Sequence, residues 1–279
     1  MTDYDREMQA KLSAFIQDEG MENEVDDDDD DDDAEPELNI PDSLPDNHLD
    51  HVILACCNLA DGMEQFEDLT GIAPKKIGSL RGVGTKSARV AMDNNTFVEI
   101  IGPDPNAESD GIAPKLLKIP KGQLFPYHYV VRAQPDDVVV PEDQGWQKDA
   151  VVMVHADADA YAASGEVNKW DLVFVYGHGI GGCVPEFVNW RENKYHPTAR
   201  LPKTAGKIAY VQVQAPEGHY VHQLLRKVND VNVYPGSPEL VFSLDTPKGN
   251  VKFKGANPEG IVMPGFGDEN HPTYSGQTM

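Results

Sequence analysis

The chain has 279 residues, enough for one large domain or two small ones, and it carries 47 acidic against 23 basic residues. This balance disfavours nucleic acid and anionic membranes as partners, because an acidic surface repels their phosphates at long range. No run of about 18 apolar residues occurs, and the N-terminus lacks the apolar core of a signal peptide, so we expect a cytoplasmic protein.

The acidic charge is concentrated in residues 1–46, which hold 19 acidic residues, eight of them the consecutive aspartates 26–33, and only two basic ones. Apolar residues spaced three and four apart over residues 4–16 predict a short helix. The aspartate run predicts a disordered tail, because its charges repel one another and little apolar surface is available to bury. The tail is either a solvated tether whose helix docks on the folded body or an arm for a basic protein partner.

Residues 47–123 are predicted to form a βαβββ unit. The stretch LDHVIL at 49–54 is typical of a strand, and NLADGMEQFEDLTG is typical of an amphipathic helix closed by Gly71. Three strands follow, KKIGSL, SARVAMD and TFVEIIG, with Asn94 and Asn95 as turn residues between the last two.

Residues 124–200 can be aligned with this first unit. PYHYVVRA aligns with LDHVILAC so that His128 falls on His51, and EFVNW aligns with TFVEI so that Asn189 falls on Glu99. Between them we expect an acidic insert, QPDDVVVPEDQGWQKD, a helix around DADAYAASGEV and the strand DLVFVYG.

Residues 201–255 predict a third unit, with the strand IAYVQVQ, the helix EGHYVHQLLRKV and the strands ELVFSLD and GNVKFKG. Tyr210 and Lys252 take the positions of His51 and Glu99, so this unit has the shape without the polar pair. Its polar sheet face either binds a carboxylate or phosphate or lies open to water. Residues 256–279 are rich in glycine and proline and predict an irregular segment.

Strand alternation brings the polar residues of the first two units together. Alternate side chains share a face, which places His51 and Glu99 on the hollow side of a curled sheet, joined there by His128 and Asn189. Repeats that cannot each bury a sheet face alone imply units packed side by side. The sequence therefore predicts an α+β fold of repeated βαβββ units that form a cupped mixed sheet.

The chain resembles glyoxalase-like domains of the vicinal oxygen chelate superfamily in the order of its motifs: LDHV, a helix, TFVEIIGPDP, FVNW and a downstream HP. This superfamily includes glyoxalases, bleomycin resistance proteins and extradiol dioxygenases. The resemblance covers residues 49–197. In that superfamily, paired βαβββ units hold a divalent metal through their first and last strands. The resemblance implies His51, Glu99 and His128 as ligands of Fe, Mn, Zn or Ni, with Asn189 completing or flanking the shell.

The amide of Asn189 departs from this pattern, which has Glu or Asp there. An amide cannot accept a proton from a carbon acid near neutral pH, so glyoxalase I chemistry is disfavoured. Two histidines and one carboxylate are the set that holds non-haem iron or manganese. The resemblance implies a metal-dependent lyase, isomerase or dioxygenase acting on a small oxygenated substrate.

Other interpretations stay open, and whether the chain is an enzyme is one of them. The same fold without a metal is a small-molecule-binding protein, and a third interpretation is a scaffold tethered by its tail. If the first and third units pair, Tyr210 and Lys252 replace His128 and Asn189, and a cation site is disfavoured. The sequence also leaves open whether the chain forms a homodimer.

Three more side chains are candidates for the site. Arg132 shares the face of His128 and either binds an anionic substrate together with Asn189 or pairs with a carboxylate. His178 in GHGIGG and His196 in NKYHP are candidates for an acid or base, against the alternatives of a surface histidine and of a turn before proline.

Several other signals are given a structural interpretation. GHGIGG fits GxGxxG, but a dinucleotide site needs a helix to begin there, whereas the strand-like CVPEFVNW follows, so a flexible loop over the cup is expected. His219 and His222 are assigned to a solvated helix face. Cys56, Cys57 and Cys183 show no CxxC spacing and are expected to be reduced thiols.

Overall fold

The structure is a computed structural model that describes residues 47–80, 84–106, 113–155, 168–191 and 196–256. All of these lie in one compact unit, Asn39–His271. The predicted N-terminal helix, the acidic tail, the predicted helix around DADAYAASGEV and residues 257–279 lie outside the described residues. Within the described part, no helix is long and apolar enough to cross a membrane.

The described elements are mostly strands. The strands are β1 (Leu49–Ala55), β2 (Lys75–Leu80), β3 (Thr85–Ala91), β4 (Phe97–Pro103), β5 (Phe125–Arg132), β6 (Gln147–His155), β7 (Asn168–Tyr176), β8 (Glu186–Asn189), β9 (Lys207–Ala215), β10 (Val231–Pro235), β11 (Glu239–Thr246) and β12 (Gly249–Ala256). The helices are α1 (Leu59–Thr70), α2 (Ala113–Leu116) and α3 (Val221–Leu224). Short 3-10 turns cover Asp93–Asn95, Pro135–Asp137, Glu142–Gln144, Gly181–Cys183, Pro197–Arg200 and Leu225–Lys227.

Helix α1 begins and ends as the sequence predicts. The side chain of Asn58 accepts hydrogen bonds from the backbone N–H groups of Ala60 and Asp61, at 2.9 and 3.2 Å, which caps the first turn. Gly71 closes the helix in the left-handed region at φ 75°, where a residue with a Cβ is strained. The buried face of the helix carries Phe66, which is fully enclosed.

Strands β1–β8 form one mixed sheet in the order β2-β3-β4-β1-β5-β8-β7-β6. The order is symmetric about the β1–β5 pair, and in each half the first strand pairs in parallel with the last. The α+β fold with a cupped mixed sheet is therefore confirmed, and the first two units, rather than the first and third, share a sheet. Strand β6 begins inside the segment interpreted as an acidic insert and pairs along its length with β7.

Strands β9–β12 form a separate sheet in the order β10-β9-β11-β12. Here the first strand pairs in parallel with the second, β10, which the sequence did not predict, rather than with the last. The expected equivalence of Tyr210 and Lys252 with His51 and Glu99 is wrong, because β11 separates the strands that carry them. Helix α3 is shorter than predicted since Gly218 takes φ 80°, a conformation outside the right-handed helix.

Two apolar clusters cover the two faces of the eight-stranded sheet. One lies between this sheet, α1 and the four-stranded sheet, where the rings of Phe66 and Phe253 stack with centroids 6.1 Å apart. The other lies on the opposite face, which we call the cup face, and contains Ile53, Val130 and Val188. Leu116 of α2 packs into this second cluster, so the short helix covers part of the cup face.

Candidate functional site

Two irregularities in the pairing of β1 with β5 lie beside the predicted histidines. The register shifts around Asp50 in β1 and again around Tyr127 in β5. An extra residue in one strand lets two consecutive side chains point to the same side of a sheet. Asp50 and His51 therefore lie together on the cup face, and so do Tyr127 and His128.

His51 is held in one orientation by its neighbours. Its Nδ1 lies 2.6 Å from Oδ1 of Asp50, and its ring stacks on Phe97 with centroids 4.2 Å apart. The remaining ring nitrogen, Nε2, lies 3.9 Å from Oε2 of Glu99. His51 and Glu99 are 7% and 5% exposed, so this pair is almost fully removed from water.

Glu99 pairs with Arg89. The sequence had suggested a different arginine, Arg132, as the partner of a carboxylate. Arg89 donates from Nε and Nη2 to Oε1 of Glu99, at 3.0 and 2.9 Å, and leaves Oε2 on the side of His51. Burial acts to raise the pKa of Glu99, but Arg89 and then His51 outweigh it, so the pKa is lower than usual. The carboxylate is therefore ionised at neutral pH.

The second half of the sheet supplies a carboxylate at the equivalent place, and it is Glu186. Glu99 lies opposite Ile53 on β1, and Glu186 lies opposite Val130 on β5. Ile53 and Val130 each follow the histidine of their strand by two residues. Glu186 is therefore the counterpart of Glu99, and its Oε1 lies 4.0 Å from Nε2 of His128.

The expected equivalence of Asn189 and Glu99 is wrong by three residues. Strand alternation places Asn189 on the face of Phe187, which packs in the cluster between the two sheets, while Glu186 points to the cup face. The Asn189 side chain donates to Oε1 of Gln134 at 2.7 Å and accepts from the backbone of Arg191 at 2.8 Å.

His128 and Glu186 are both buried and both have shifted pKa values. Burial, with a smaller contribution from His51, lowers the pKa of His128 to about 4, although a backbone contact with Tyr129 opposes it. Nδ1 of His128 lies 2.9 Å from the carbonyl oxygen of Tyr129, which leaves Nε2 toward Glu186. Burial and then Glu99 raise the pKa of Glu186 to about 8. At neutral pH this histidine is neutral, and the carboxyl group is largely protonated.

Asp50 is the centre of a buried hydrogen-bond network beneath His51. Its carboxylate meets four nitrogen atoms: Nδ1 of His51 at 2.6 Å, Nε of Arg132 at 2.8 Å, Nε1 of Trp190 at 2.9 Å and Nε2 of His196 at 3.1 Å. Burial acts to raise the pKa of Asp50, but His196 and His51 outweigh it and hold the pKa well below its usual value. The network fixes the position of the His51 ring.

Two candidates from the sequence belong to this network. Arg132 is 4% exposed and donates to Asp50 and to the carbonyl oxygen of Asn95, so its guanidinium supports Asp50 from inside the protein. His196 caps the 3-10 turn Pro197–Arg200 through contacts with Thr198, as expected for a histidine before proline, and its other ring nitrogen faces Asp50.

The glycine-rich loop lies on the other face of the sheet, so its expected position over the cup is wrong. Ile180 and Cys183 pack in the cluster between the two sheets. His178 lies against Trp146, with ring centroids 5.5 Å apart, and burial lowers the pKa of His178 to about 4. Strand β8 follows the loop.

The two histidines at the start of α3 are partly buried and do not form a pair. Nε2 of His219 lies 3.0 Å from the carbonyl oxygen of His178, and Nε2 of His222 contacts the carbonyl oxygens of Ala215 and Pro216. Their assignment to a solvated helix face therefore holds only in part, because both rings are half-buried and contact backbone carbonyl groups, His219 in the glycine-rich loop and His222 at the end of β9.

The family model for the glyoxalase-like domain matches residues 49–228. The chain belongs to this family. The resemblance inferred from LDHV, TFVEIIGPDP and FVNW is thereby confirmed, and no curated protein matches the chain.

Several solved structures are similar to this glyoxalase-like chain. Methylmalonyl-CoA epimerase from Mycobacterium tuberculosis is 16% identical, with 53% of this chain and 91% of that chain covered and a TM-score of 0.37. The Mn(II)-bound glyoxalase from Novosphingobium aromaticivorans is 10% identical, with 75% of this chain and 82% of that chain covered and a TM-score of 0.37.

The glyoxalase-like domain presents two histidine–carboxylate pairs whose chemistry fits a divalent metal. Imidazole nitrogen and carboxylate oxygen suit Mn, Fe, Ni and Zn. Two ligand atoms that each lie about 2.1 Å from one ion are about 3.4 Å apart at a tetrahedral angle, whereas the two pairs span 3.9 and 4.0 Å, so each pair would have to close by about half an ångström on an ion. Among the described residues, no group of three or more such side chains is arranged to hold an ion.

Sequence reasoning missed four residues of this site: Asp50, Arg89, Tyr127 and Glu186. Asp50 and Tyr127 precede the two histidines, where strict alternation places them on the opposite face, and only the bulges bring them to the cup face. Glu186 was missed because the alignment matched the Phe-Val dipeptides of the two strands. The sequence does contain one feature that could have identified Glu186: it stands at the start of an apolar strand, and an ionisable side chain is rarely buried there without a role.

Proposed function

We propose that this glyoxalase-like chain is a metal-dependent enzyme that moves a proton at a carbon atom beside a carbonyl group of a small oxygenated substrate. The observation that carries the proposal is the presence of Glu186 beside His128, in the place that corresponds to Glu99 beside His51. A second carboxylate favours lyase, isomerase or epimerase chemistry over a dioxygenase, because it supplies the base that Asn189 could not.

The four cup-face side chains would hold the metal. His51 and His128 each have Nδ1 in contact with a neighbouring protein group, Asp50 in the first case and the Tyr129 backbone in the second, and each directs Nε2 to a carboxylate. This orientation leaves Nε2 on the side where an ion would bind. A bound divalent ion supplies Lewis acidity, which polarises the oxygen atoms of a chelating substrate. Asp50 would support His51 as a hydrogen-bonded carboxylate behind the ring.

Glu186 is the group that we assign to proton transfer. In the protein without a metal, burial raises its pKa to about 8, so this carboxyl group can both hold and release a proton near neutral pH. The apolar side chains of Ile53, Val130 and Val188 line the same face and exclude water from it. In its ionised form Glu186 can therefore take a proton from a substrate carbon, and a deuteron that the carboxyl group acquires from D₂O can be returned in its place.

Hydrogen–deuterium exchange tests this proposal. Full-length protein loaded with Mn²⁺ is incubated in D₂O with small 2-hydroxy ketones, 2-oxo acids and 2-methyl thioesters, and exchange of the hydrogen beside the carbonyl is followed by NMR. We expect Glu186→Gln to slow the exchange at least about 100-fold. Asn189→Ala is the control, since Asn189 faces away from the cup, and it is expected to exchange at the wild-type rate. Equal rates for the wild type and Glu186→Gln would contradict the proposal.

A second candidate function is supported by the contact between Arg89 and Glu99. This guanidinium already neutralises the carboxylate, so the cup can remain stable without an ion. In that case the same face would bind a small molecule without metal. Binding of small 2-oxo acids to metal-depleted protein, measured by calorimetry and unchanged by added Mn²⁺, would favour this function.

A further inference from the structure

Tyr127 is a buried residue whose hydroxyl group has no described partner. The residue is 4% exposed, and its Oη finds no hydrogen-bond partner among the described residues. The adjacent Tyr129 differs, because it points to the opposite face and its hydroxyl donates to the carbonyl oxygen of Cys183 at 3.0 Å. The two neighbouring tyrosines thus differ in whether the hydroxyl group is satisfied.

The location of Tyr127 connects it to the proposed site. The bulge in β5 turns it to the cup face next to His128, as the bulge in β1 turns Asp50 to the cup face next to His51. Tyr127 packs in the apolar cluster of the cup face with Ile53.

The positions of Asp50 and Tyr127 differ in what they offer a ligand. The oxygens of Asp50 are surrounded by nitrogen donors from the protein, so that position is internally satisfied. The hydroxyl of Tyr127 carries a proton that it can donate, as a tyrosine does at neutral pH. Phenylalanine would fill the same apolar space without leaving a polar atom unpaired. The Tyr127 hydroxyl therefore does not stabilise the folded protein, and its proton is available for a hydrogen bond to a ligand.

We propose that Tyr127 donates a hydrogen bond to an oxygen atom of the bound substrate. The inference rests on the proposed function, since it places the substrate between the two histidine–carboxylate pairs and the Tyr127 ring. It makes Tyr127 a determinant of specificity: a substrate with an acceptor oxygen at this point is retained, and an analogue without one leaves the buried hydroxyl unpaired.

Tyr127→Phe and Tyr129→Phe form a matched pair for the test, because each removes one hydroxyl from the same strand. The first measurement is the melting temperature of metal-depleted full-length protein. Tyr127→Phe is expected to melt at or above the wild-type temperature, and Tyr129→Phe below it, because only Tyr129 loses a protein hydrogen bond. A Tyr127→Phe variant that melts below the wild type would overturn the inference, whether or not the protein binds a metal.

The second measurement uses acetohydroxamate, a small chelator with two adjacent oxygen atoms, and protein loaded with Co²⁺. Binding is followed by the visible absorption of the metal. We expect Tyr127→Phe to bind Co²⁺ normally and acetohydroxamate about tenfold more weakly, and Tyr129→Phe to bind both normally.

Equal acetohydroxamate affinity in Tyr127→Phe and wild type would overturn the inference and leave the proposed function intact. A wild-type protein that takes up no Co²⁺ would contradict the proposed function, and the melting comparison would then decide the inference alone.

Discussion

Glu99 and Glu186 occupy equivalent positions in the two halves of the eight-stranded sheet, each opposite the residue that follows a histidine by two. Their surroundings differ, because Arg89 holds Glu99 by two hydrogen bonds, whereas Glu186 faces the neutral ring of His128 at 4.0 Å. The pKa of Glu99 is lowered, and that of Glu186 is raised. In the protein without a metal, one carboxylate is thus kept ionised and the other largely protonated at neutral pH, a difference on which the proposed acid–base function depends.

The raised pKa of Glu186 makes stability depend on pH. Its pKa rises from 4.5 to about 8 on folding, so the folded state holds a proton that the unfolded state has lost within this range. The stabilising contribution is complete below about pH 4.5 and is lost as the pH rises through 8. We expect the wild type to lose stability relative to Glu186→Gln over this interval, in urea unfolding of metal-depleted protein.

The control for this experiment is Glu142→Gln, which alters an exposed glutamate in a 3-10 turn. Its stability is expected to follow the wild type at every pH. A constant difference between the wild type and Glu186→Gln from pH 5 to pH 8.5 would show that Glu186 is not buried as a protonated acid.

Asp50→Asn tests the buried network that positions His51. The change leaves Arg132 without its carboxylate in a site where both residues are buried, and breaking such a pair is expected to lower the free energy of unfolding by about 3 kcal/mol or more. Asp245→Asn is the control, because Asp245 and its partner Lys207 are 50% and 54% exposed and surface ion pairs contribute less than about 1 kcal/mol. Similar losses for the two variants would contradict the role of the network.

Arg89→Met separates the metal-dependent and metal-free interpretations. Removal of the guanidinium leaves the Glu99 carboxylate buried beside His51 without a cation and is expected to cost about 3 kcal/mol of stability in metal-depleted protein. A divalent ion would replace the lost charge, so the increase in melting temperature caused by Mn²⁺ should be larger for Arg89→Met than for the wild type. An equal or smaller increase would favour the metal-free function.

Much of the fold follows from the sequence, and the parts that do not have physical reasons. Helix α1 has an apolar stripe, an Asn58 cap and a terminal Gly71, so local chemistry specifies it. His51, Glu99 and His128 were found because apolar alternation is strong in their strands. Glu186 was missed because register between distant strands depends on tertiary pairing, and a bulge, unlike alternation, leaves no periodic signal.

The four-stranded sheet shows the same limit at a larger scale. Its segments have the order expected of a third βαβββ unit, but β9 pairs with β10 and β11 and so gives a different sheet. Strand order is decided by which faces become buried, and here the sheet packs over α1 through Phe66 and Phe253. Propensity along the chain does not contain that information.

Phe253→Ala tests whether the four-stranded sheet shares a core with the rest of the unit. Loss of this buried ring is expected to lower the free energy of unfolding by about 3–4 kcal/mol and to leave a single cooperative transition. The measurement is urea unfolding followed by both tryptophan fluorescence and circular dichroism. Two separate transitions in the variant would indicate that the four-stranded sheet unfolds independently.

The metal content of protein purified without chelators tests the central claim most directly, namely that two histidine–glutamate pairs form one metal site. Elemental analysis is expected to find about one equivalent of Mn, Fe, Ni or Zn per chain in the wild type and in Asn189→Ala. We expect the metal to be lost in His51→Ala and in Glu186→Ala. A wild type without metal, or a metal lost in Asn189→Ala and retained in Glu186→Ala, would contradict the claim.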